Sequence, residues 1–413
     1  MNTDTTPGPA TTTAEKRFAL LREGNFRRMW LVGGMTMALQ WLETLAGSIF
    51  VFSVTQSGFA VTLVALARAA PMVFLGLFIG SIAERIDRRK LLLGGYSMLA
   101  VTALILGTLA VFDLVTPVHV GIGMFLTGTV FSMEFPVRRN MLGEFAGMER
   151  IGTAMGLDSV LRNGMRIIGP LAGGALMEFV GLEGAYYLAA ASYIAILVLL
   201  LGVDSPQRRP DIQRPSLFTT VIEGIRFARA DKAVMGLLFI TIIMNVWGFP
   251  YMAMVPVIGH DRLGVSELPV GMLVAIEGLG GLLGALFIAT RGAALLWAYR
   301  KLYFWGACIF MTAIVGFSQS IWYEASLMIV FFGGLGVAGF STMQGTLPFI
   351  VAPPEMRARI LGLLSVCIGT GPIGIFHLGL MVTLVGASWA TTIIGVEGLI
   401  AMTALYVWNK QVR

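Results

Sequence analysis

The stretch Gly80-Ser-Ile-Ala-Glu84-Arg85-Ile-Asp87-Arg88-Arg89-Lys90 places six charged residues within seven positions, between two long apolar segments. An apolar run of roughly 20 residues is long enough for a helix to cross a bilayer, and Lys and Arg concentrate at the cytoplasmic ends of such helices. The stretch is therefore predicted to be a short cytoplasmic loop between two transmembrane helices.

The composition of the whole chain agrees with this interpretation. Of the 413 residues, 56% are apolar and 13% are charged, whereas soluble domains contain roughly 25% charged residues. The period-two alternation of membrane β-strands is absent, so we predict an all-α integral membrane protein. Its twelve predicted transmembrane helices are residues 27–54, 59–83, 91–112, 118–137, 151–178, 184–203, 233–258, 267–290, 302–320, 322–347, 358–384 and 388–409.

The long polar segment Asp204–Lys232 divides these spans into two sets of six. Landmarks recur between the sets, since Gly76 and Gly80 precede Gly280 and Gly284 by 204 residues. A constant offset indicates a duplicated six-helix unit. We predict a disordered cytoplasmic tail at residues 1–24, an N-terminal six-helix bundle at 25–203, a cytoplasmic linker with a short amphipathic helix at 204–232, and a C-terminal six-helix bundle at 233–413.

The distribution of basic residues predicts the orientation. With both termini inside, 25 of the 29 Lys and Arg residues fall in cytoplasmic segments, and Arg262 alone falls in an outer loop. The other three, Arg68, Arg162 and Arg166, lie within predicted spans. The positive-inside rule therefore predicts cytoplasmic termini. The net charge of +6 follows from this asymmetry, so we predict no nucleic-acid partner.

Motifs for catalysis and metal binding are absent from the sequence. It contains no HExxH, GxSxG or CxxC, and none of its lysines follows a glycine, as a P-loop requires. Cys308 and Cys367 both lie in apolar spans. We therefore predict that the chain is not an enzyme and that it holds no cofactor and no metal. Two GxGxxG matches, 334–339 and 369–374, lie inside apolar spans, so we interpret them as helix-packing glycines.

The opening stretch resembles the signature loop of the major facilitator superfamily, with Glu84 in the place of an Asp and Asp87 in the place of a Gly. In predicted span 5, a second segment resembles an exporter-associated motif of that superfamily. We expect its small residues to act as a helix-packing motif: Gly156, Gly169, Pro170, Gly173 and Gly174. The segments 135–139 and 354–359 resemble the branch that contains the enterobactin exporter and related drug exporters.

The resemblance implies two pseudo-symmetric six-helix bundles and a cytoplasmic gate. In the family, the acid at the Glu84 position meets the start of helix 11, here near Ala358, and the later arginine, here Arg88, pairs with an acid at the inner end of helix 4, here Glu134. The predicted gate residues are Gly80, Glu84, Arg85, Arg88, Arg89 and Glu134. The alternative is that these charges only anchor the topology.

Charged residues within the predicted spans are candidate site residues, because a charge at membrane depth is costly unless it faces a partner or a cavity. For proton coupling we predict Glu43, Asp158 and Glu277. For the substrate cavity we predict Gln40, Arg68, Arg162, Asn245, Trp247, Tyr251 and His377. Alternatives stay open: Glu43 forms an ion pair with Arg68, the row Asp158, Arg162 and Arg166 is a structural or gating network, and His377 is a structural histidine.

These features together predict a secondary transporter in a bacterial inner membrane. It would move a small organic solute by alternating access, with proton-coupled export of a drug- or siderophore-like compound as the leading hypothesis. One alternative is a proton-coupled uptake symporter or a uniporter. Another, from a different class, is a lipid scramblase or a membrane enzyme. The expected partners are the small-molecule substrate, protons and the lipid bilayer, and the expected oligomeric state is a monomer.

Overall fold

The computed structural model describes residues 19–85, 87–204, 225–229, 231–291, 299–353 and 356–409; its account of side chains also leaves out 19, 73–85, 148 and 358. Most of the predicted tail and linker lies outside the described residues. Across the described ranges every regular element is helical. The N-terminal half contains α1 (Gly24–Thr55), α2 (Gly58–Arg85), α3 (Arg88–Val111), α4 (Pro117–Ala146), α5 (Ile151–Phe179) and α6 (Leu182–Leu201). The C-terminal half contains α7 (Lys232–Ile243), α8 (Val255–Asp261), α9 (Glu267–Arg291), α10 (Tyr299–Gln319), α11 (Tyr323–Val351), α12 (Arg357–Ile368) and α13 (Gly371–Trp408).

Nine stretches of the described residues are long and apolar enough to cross a membrane. Helix α5 is not among them, although it has 29 residues, because it carries several charged side chains. The last of the nine, Arg359–Trp408, contains a break at 369–370 and a non-helical residue, Gly386, with φ of 78°. The predicted all-α membrane fold is confirmed, and the count of twelve spans stays a prediction.

The seventh predicted span is an irregular helix. After α7 the chain forms a π-helix at Met244–Gly248 and a 3-10 helix at Phe249–Met254, and it then returns to α-helix in α8. Proline has no N–H and cannot continue the regular hydrogen-bond ladder, and Pro250 lies at the start of the 3-10 helix. Such π-helical turns often occur at functional sites.

One predicted boundary is wrong. Span 4 was expected to end at residue 137, which placed Arg138 and Arg139 in a cytoplasmic loop, but α4 continues to Ala146. Arg138 is consequently inside a helix and 2% exposed. The helix tolerates this buried charge because carboxylates from α4 and α5 surround it.

Two apolar cores organise the molecule. One consists of residues between Leu20 and Val203, all from the N-terminal half. The other consists mainly of residues from the C-terminal half, together with Leu45 to Phe52 of α1 and the first turns of α2 and α4. These N-terminal segments all lie at one end of their half, the end at which α5 finishes. The two halves therefore share an apolar core at that end.

Glycines permit close helix packing at the same end. A Cβ at Gly174 of α5 would lie 2.6 Å from the Glu267 carbonyl oxygen of α9, and a Cβ at Gly271 would lie 2.6 Å from the Pro170 carbonyl oxygen. In the first half of α5, by contrast, positions Gly156 and Gly164 face open space. Small residues allow helix backbones to approach within a membrane, so α5 and α9 pack tightly over the second half of α5.

The first GxGxxG segment is a packing element, as its position in an apolar span predicts. A Cβ at Gly334 of α11 would overlap the Glu277 carbonyl oxygen of α9, and one at Gly336 would lie 2.6 Å from the Gly306 carbonyl oxygen of α10. The second segment spans the break at 369–370, and a Cβ at Gly374 would overlap the carbonyl oxygen of Val246 in the π-helix.

We expect Gly334→Val to destabilise the protein by about 1–3 kcal/mol, because the added side chain has no space against the backbone of α9. The control is Gly345→Val in the same helix, where the added Cβ meets no atom within 4 Å. Thermal unfolding of the two purified variants in detergent measures the difference. Equal melting temperatures would contradict the packing role.

Candidate functional site

A buried ion-pair network joins α4 and α5. Arg138 donates from Nε to Glu134 and from Nη1 to Asp158, both at 2.6 Å. Arg162 lies one turn beyond Asp158, and its Nε is 3.2 Å from the second Asp158 oxygen. The Asp158 side chain is 0% exposed. Its buried carboxylate therefore contacts these guanidinium groups in place of solvent.

Local sequence explains how the network forms. Glu134 and Arg138 are four residues apart on α4, as are Asp158 and Arg162 on α5, and this spacing places each pair on one helical face. Gly33 of α1 provides the space for Arg138, since a Cβ there would overlap the guanidinium.

A second ion pair connects the two halves. Arg166 of α5 donates to Glu277 of α9, and the other Glu277 oxygen accepts a hydrogen bond from Tyr251 in the 3-10 helix. Glu277 is 1% exposed. A carboxylate thus lies at the α5–α9 interface, where its ionic partner Arg166 belongs to the opposite half.

Aromatic rings pack against three of the guanidinium groups near these ion pairs. The Cζ atoms of Arg139 and Arg162 lie 5.3 and 5.4 Å from the Phe135 ring centre, and that of Arg166 lies 5.4 Å from the Trp41 ring centre. Guanidinium groups interact favourably with aromatic faces at such distances. We call Arg139, Arg162 and Arg166, with the rings of Phe135 and Trp41, the central arginine cluster.

Glu43 lies within the N-terminal half and is buried. It accepts hydrogen bonds from Tyr193 at 3.0 Å and from Thr127 at 3.5 Å. Arg68 donates instead to the Gln40 carbonyl oxygen at 2.9 Å. Among the described residues Arg68 does not reach ion-pair distance of Glu43, and hydroxyl groups from α6 and α4 contact the carboxylate instead.

A third polar group lies in the C-terminal half. Glu397 of α13 accepts hydrogen bonds from Trp247 at 2.9 Å and pairs with His377 at 2.7 Å. His377 therefore has a hydrogen-bonded partner, as the structural alternative expects. Asn245 donates to the Thr241 carbonyl oxygen one turn earlier, at 2.8 Å.

The predicted pairing of the gate residues is wrong. Arg88 pairs with Glu144 at 2.6 Å, not with Glu134, whose carboxylate contacts Arg138. Arg89 donates to the carbonyl oxygens of Leu200 and Leu201 at the end of α6. Gly80, Glu84 and Arg85 are among the residues whose side chains the structure leaves undescribed.

The residues of the predicted packing motif in α5 differ in their surroundings. A Cβ at Gly169 would lie 2.7 Å from the Ala38 carbonyl oxygen, and one at Gly173 would lie 3.1 Å from the Leu42 carbonyl oxygen, both in α1. Gly174 and Pro170 face α9, as described above. Gly156 has no atom within 4 Å of its Cβ position, so a packing contact at this residue is not present.

The structure also identifies residues that the sequence analysis did not select for the site: Phe135, Arg138, Arg139, Arg166, Trp41, Tyr193 and Glu397. Some of their partners lie far away along the chain, as in the pairing of Arg166 with Glu277, 111 positions later. One signal was available in the sequence, namely the spacing of four residues between Glu134 and Arg138.

Comparison with known proteins identifies the family. The family described as transmembrane secretion effectors matches residues 15–412. The chain belongs to this family of major facilitator superfamily transporters. It is 26% identical over 340 residues to the multidrug efflux pump Tap of Mycolicibacterium fortuitum, covering 77% of this chain and 79% of that protein. It is also 26% identical over 369 residues to the enterobactin exporter EntS of Shigella flexneri, covering 86% and 84%.

Solved structures show the same fold. A D-xylose-proton symporter matches with a TM-score of 0.72 and 13% identity, over 94% of this chain and 99% of that one. The nucleoside transporter NupG matches with a TM-score of 0.68 and 13% identity, over 92% and 98%. The predicted superfamily, fold and transporter class are confirmed, and the family does not support the scramblase and membrane-enzyme alternatives.

We expect Arg138→Met to lower the free energy of unfolding by about 3–5 kcal/mol, because it leaves Glu134 and Asp158 buried without their shared partner. Arg150→Met is the matched control, since the Arg150–Glu23 ion pair is exposed and such pairs contribute little. Unfolding of the purified proteins in detergent gives the comparison. A loss no larger than that of the control would show that the network is not needed for stability.

Proposed function

We propose that this superfamily transporter exports a small drug- or siderophore-like organic solute by alternating access and couples this movement to protons. The names of two relatives, a multidrug efflux pump and an enterobactin exporter, support export. We further propose that the protein is a monomer in a bacterial plasma membrane with both termini in the cytoplasm. The charge asymmetry of the sequence supports this orientation.

The observation that carries the proposal is the distribution of charge and packing between the halves. Arg166 and Glu277 form an ion pair across the interface, and beyond this pair the helices α5 and α9 pack through glycines. In the first half of α5, Gly156 and Gly164 face open space. In the proposed orientation the transporter is thus closed on the outer side and open to the cytoplasm.

Three carboxylates are proposed for proton coupling. Glu43, Asp158 and Glu277 are all buried at membrane depth, where carboxylates commonly act in proton transfer. Glu43 differs from the other two because hydroxyl groups, and no guanidinium within ion-pair distance, contact it among the described residues. Protonation of Glu43 therefore breaks no ion pair, which makes it the leading candidate.

The roles of the other residues, in the substrate cavity and in the cytoplasmic gate, are also proposals. Arg162 and Tyr251 lie near the interface between the halves, whereas Gln40 and Arg68 lie beside Glu43 within the N-terminal half. Trp247 and His377 join Glu397 in the C-terminal half. The division at residues 203 and 233 agrees with the composition of the two apolar cores.

We also propose that the cytoplasmic gate includes Arg88, with Glu144 as its partner.

Proton-coupled uptake is the second candidate function, and one observation favours it. Glu277 forms an ion pair with Arg166, the residue proposed to bind an anionic solute. A proton on Glu277 would release Arg166 for an anionic solute, so that proton and anion would bind together. Such linkage corresponds to symport.

We expect Glu43→Gln to abolish proton coupling without loss of folding, because glutamine retains the shape and accepts the same hydrogen bonds but cannot release a proton. The purified variant in liposomes with an imposed pH gradient is assayed for proton flux on addition of siderophores, cationic drugs and organic acids. Glu324→Gln, an exposed position in the first turn of α11, is the control. Full gradient-driven transport by Glu43→Gln would show that this carboxylate is not the proton-coupling residue.

We expect Glu178→Ala to open the outer side more often. Glu178, at the end of α5, accepts hydrogen bonds at 2.8 Å from the Ser266 hydroxyl and from the Leu268 N–H at the start of α9. This carboxylate thus satisfies a helix terminus in the opposite half. Its loss removes a contact that only the closed outer side makes.

The measurement is a distance distribution between spin labels at positions 114 and 321, both exposed and both in connections assigned to the outer side. Cys308 and Cys367, the two cysteines, are first replaced by serine. Glu178→Ala should increase the fraction of long distances, whereas Glu183→Ala, in the first turn of α6, should leave the distribution unchanged. Identical distributions in the two variants would contradict this role for Glu178.

A further inference from the structure

We propose that the central arginine cluster binds the anionic group of the transported solute and that a planar part of the solute packs beside Phe135 and Trp41. This inference rests on the proposed transport function, because it assigns a chemical class to the substrate of that same interface. The class is an organic anion with an aromatic or otherwise planar portion.

The first argument is the balance of charge. Four arginines, Arg138, Arg139, Arg162 and Arg166, share three carboxylates, Glu134, Asp158 and Glu277. These four arginines therefore carry one positive charge more than the three carboxylates neutralise. In a membrane interior such an excess is costly, and it produces a potential that attracts an anion.

The second argument is where the excess charge is accessible. Arg138 is fully engaged by Glu134 and Asp158 and is 2% exposed. The side chains of Arg139, Arg162 and Arg166 are 37%, 25% and 20% exposed. The positive charge is thus available on the three outer guanidinium groups, on the face where the aromatic rings lie.

The third argument is unused hydrogen-bonding capacity. Among the described residues, the buried Nε atom of Arg166 has no hydrogen-bond partner, and the Nε atom of Arg162 lies 3.2 Å from Asp158 without the geometry of a hydrogen bond. A guanidinium group donates several hydrogen bonds in one plane and matches the two oxygens of a carboxylate. With one face of each guanidinium against a ring, the edges remain as donors for a ligand.

The fourth argument is the internal competitor. Glu277 already contacts Arg166 as an organic carboxylate would, and the charged and titratable groups that face it are Arg166 from α5 and Tyr251 from the 3-10 helix. A bound anion must replace Glu277 at Arg166. Removing the negative charge of Glu277 should therefore strengthen anion binding, whereas removing the positive charge of Arg166 should weaken it.

The test uses the full-length protein in lipid nanodiscs and three probes that share one ring system: 1-naphthoate, 1-naphthalenemethanol and 1-naphthylmethylamine. Equilibrium dialysis measures their binding. We expect 1-naphthoate to bind at least about tenfold more tightly than either of the other probes, since charge-assisted hydrogen bonds add to ring contact. Arg162→Gln and Arg166→Gln should each weaken 1-naphthoate binding about tenfold.

Glu277→Gln should instead strengthen 1-naphthoate binding severalfold, and Arg150→Gln, remote from the cluster, should leave it unchanged. If Arg166→Gln does not fold, Arg162→Gln and the opposite sign expected for Glu277→Gln still decide the result. Equal binding of the three probes by the wild type, or no binding of 1-naphthoate, would overturn the proposal. So would unchanged 1-naphthoate binding in Arg162→Gln.

Flux measurements in liposomes distinguish a failure of the proposed anion site from a failure of the proposed transport function. Transport of the alcohol or the amine without transport of 1-naphthoate would leave a transporter and overturn the anion site. Binding of 1-naphthoate with the expected responses of the variants, but without flux of any of the three compounds, would support the anion site and overturn proton-coupled transport of this class of solute.

Discussion

The burial of Asp158 in the middle of a helix bundle is the constraint on which the other interactions depend. A carboxylate with no exposed surface is costly in a membrane unless partner groups compensate it, and for Asp158 these partners are Arg138 and Arg162. Arg138 in turn needs a second acid, Glu134, and the space left by Gly33. The network thereby determines how α1, α4 and α5 pack, and it places Arg162 and Arg166 on the face of α5 that reaches the other half.

Glu277 joins three helices through two different parts of one residue. Its carbonyl oxygen lies where a Cβ at Gly334 of α11 would be, while its carboxylate extends to Arg166 of α5. The backbone contact is internal to the C-terminal half and has no dependence on charge. The side-chain contact crosses between the halves and can be exchanged for a contact with a solute. Glu277 therefore combines a fixed backbone contact with α11 and a side-chain contact with Arg166 that a solute can replace.

Much of this architecture was readable from the sequence, because hydropathy and basic residues follow directly from the membrane environment. The intramembrane charges were also identified in advance, since any charge in an apolar span is conspicuous. Their partners were not: Arg88 was assigned to Glu134, although Glu144 is its partner. The hydropathy pattern also predicts that span 4 ends at residue 137, just before two arginines. It therefore places Arg138 in a loop, although the helix continues to Ala146. Pairs such as Arg166 and Glu277 depend on the packing of distant helices, which local patterns do not determine.

The location of each carboxylate bears on the direction of coupling. A carboxylate that competes with an anionic solute for Arg166 yields that position when it binds a proton, so proton and anion cross the membrane together. For a solute with one negative charge this movement is electrically neutral, so the membrane potential does not contribute, and the gradients of protons and of the solute together determine its direction. Glu43 lies elsewhere, with hydroxyl groups as partners, and its protonation does not act on Arg166 directly. An exporter driven by proton entry therefore requires Glu43 to carry the exchanged proton, whereas uptake of an anion requires only Glu277.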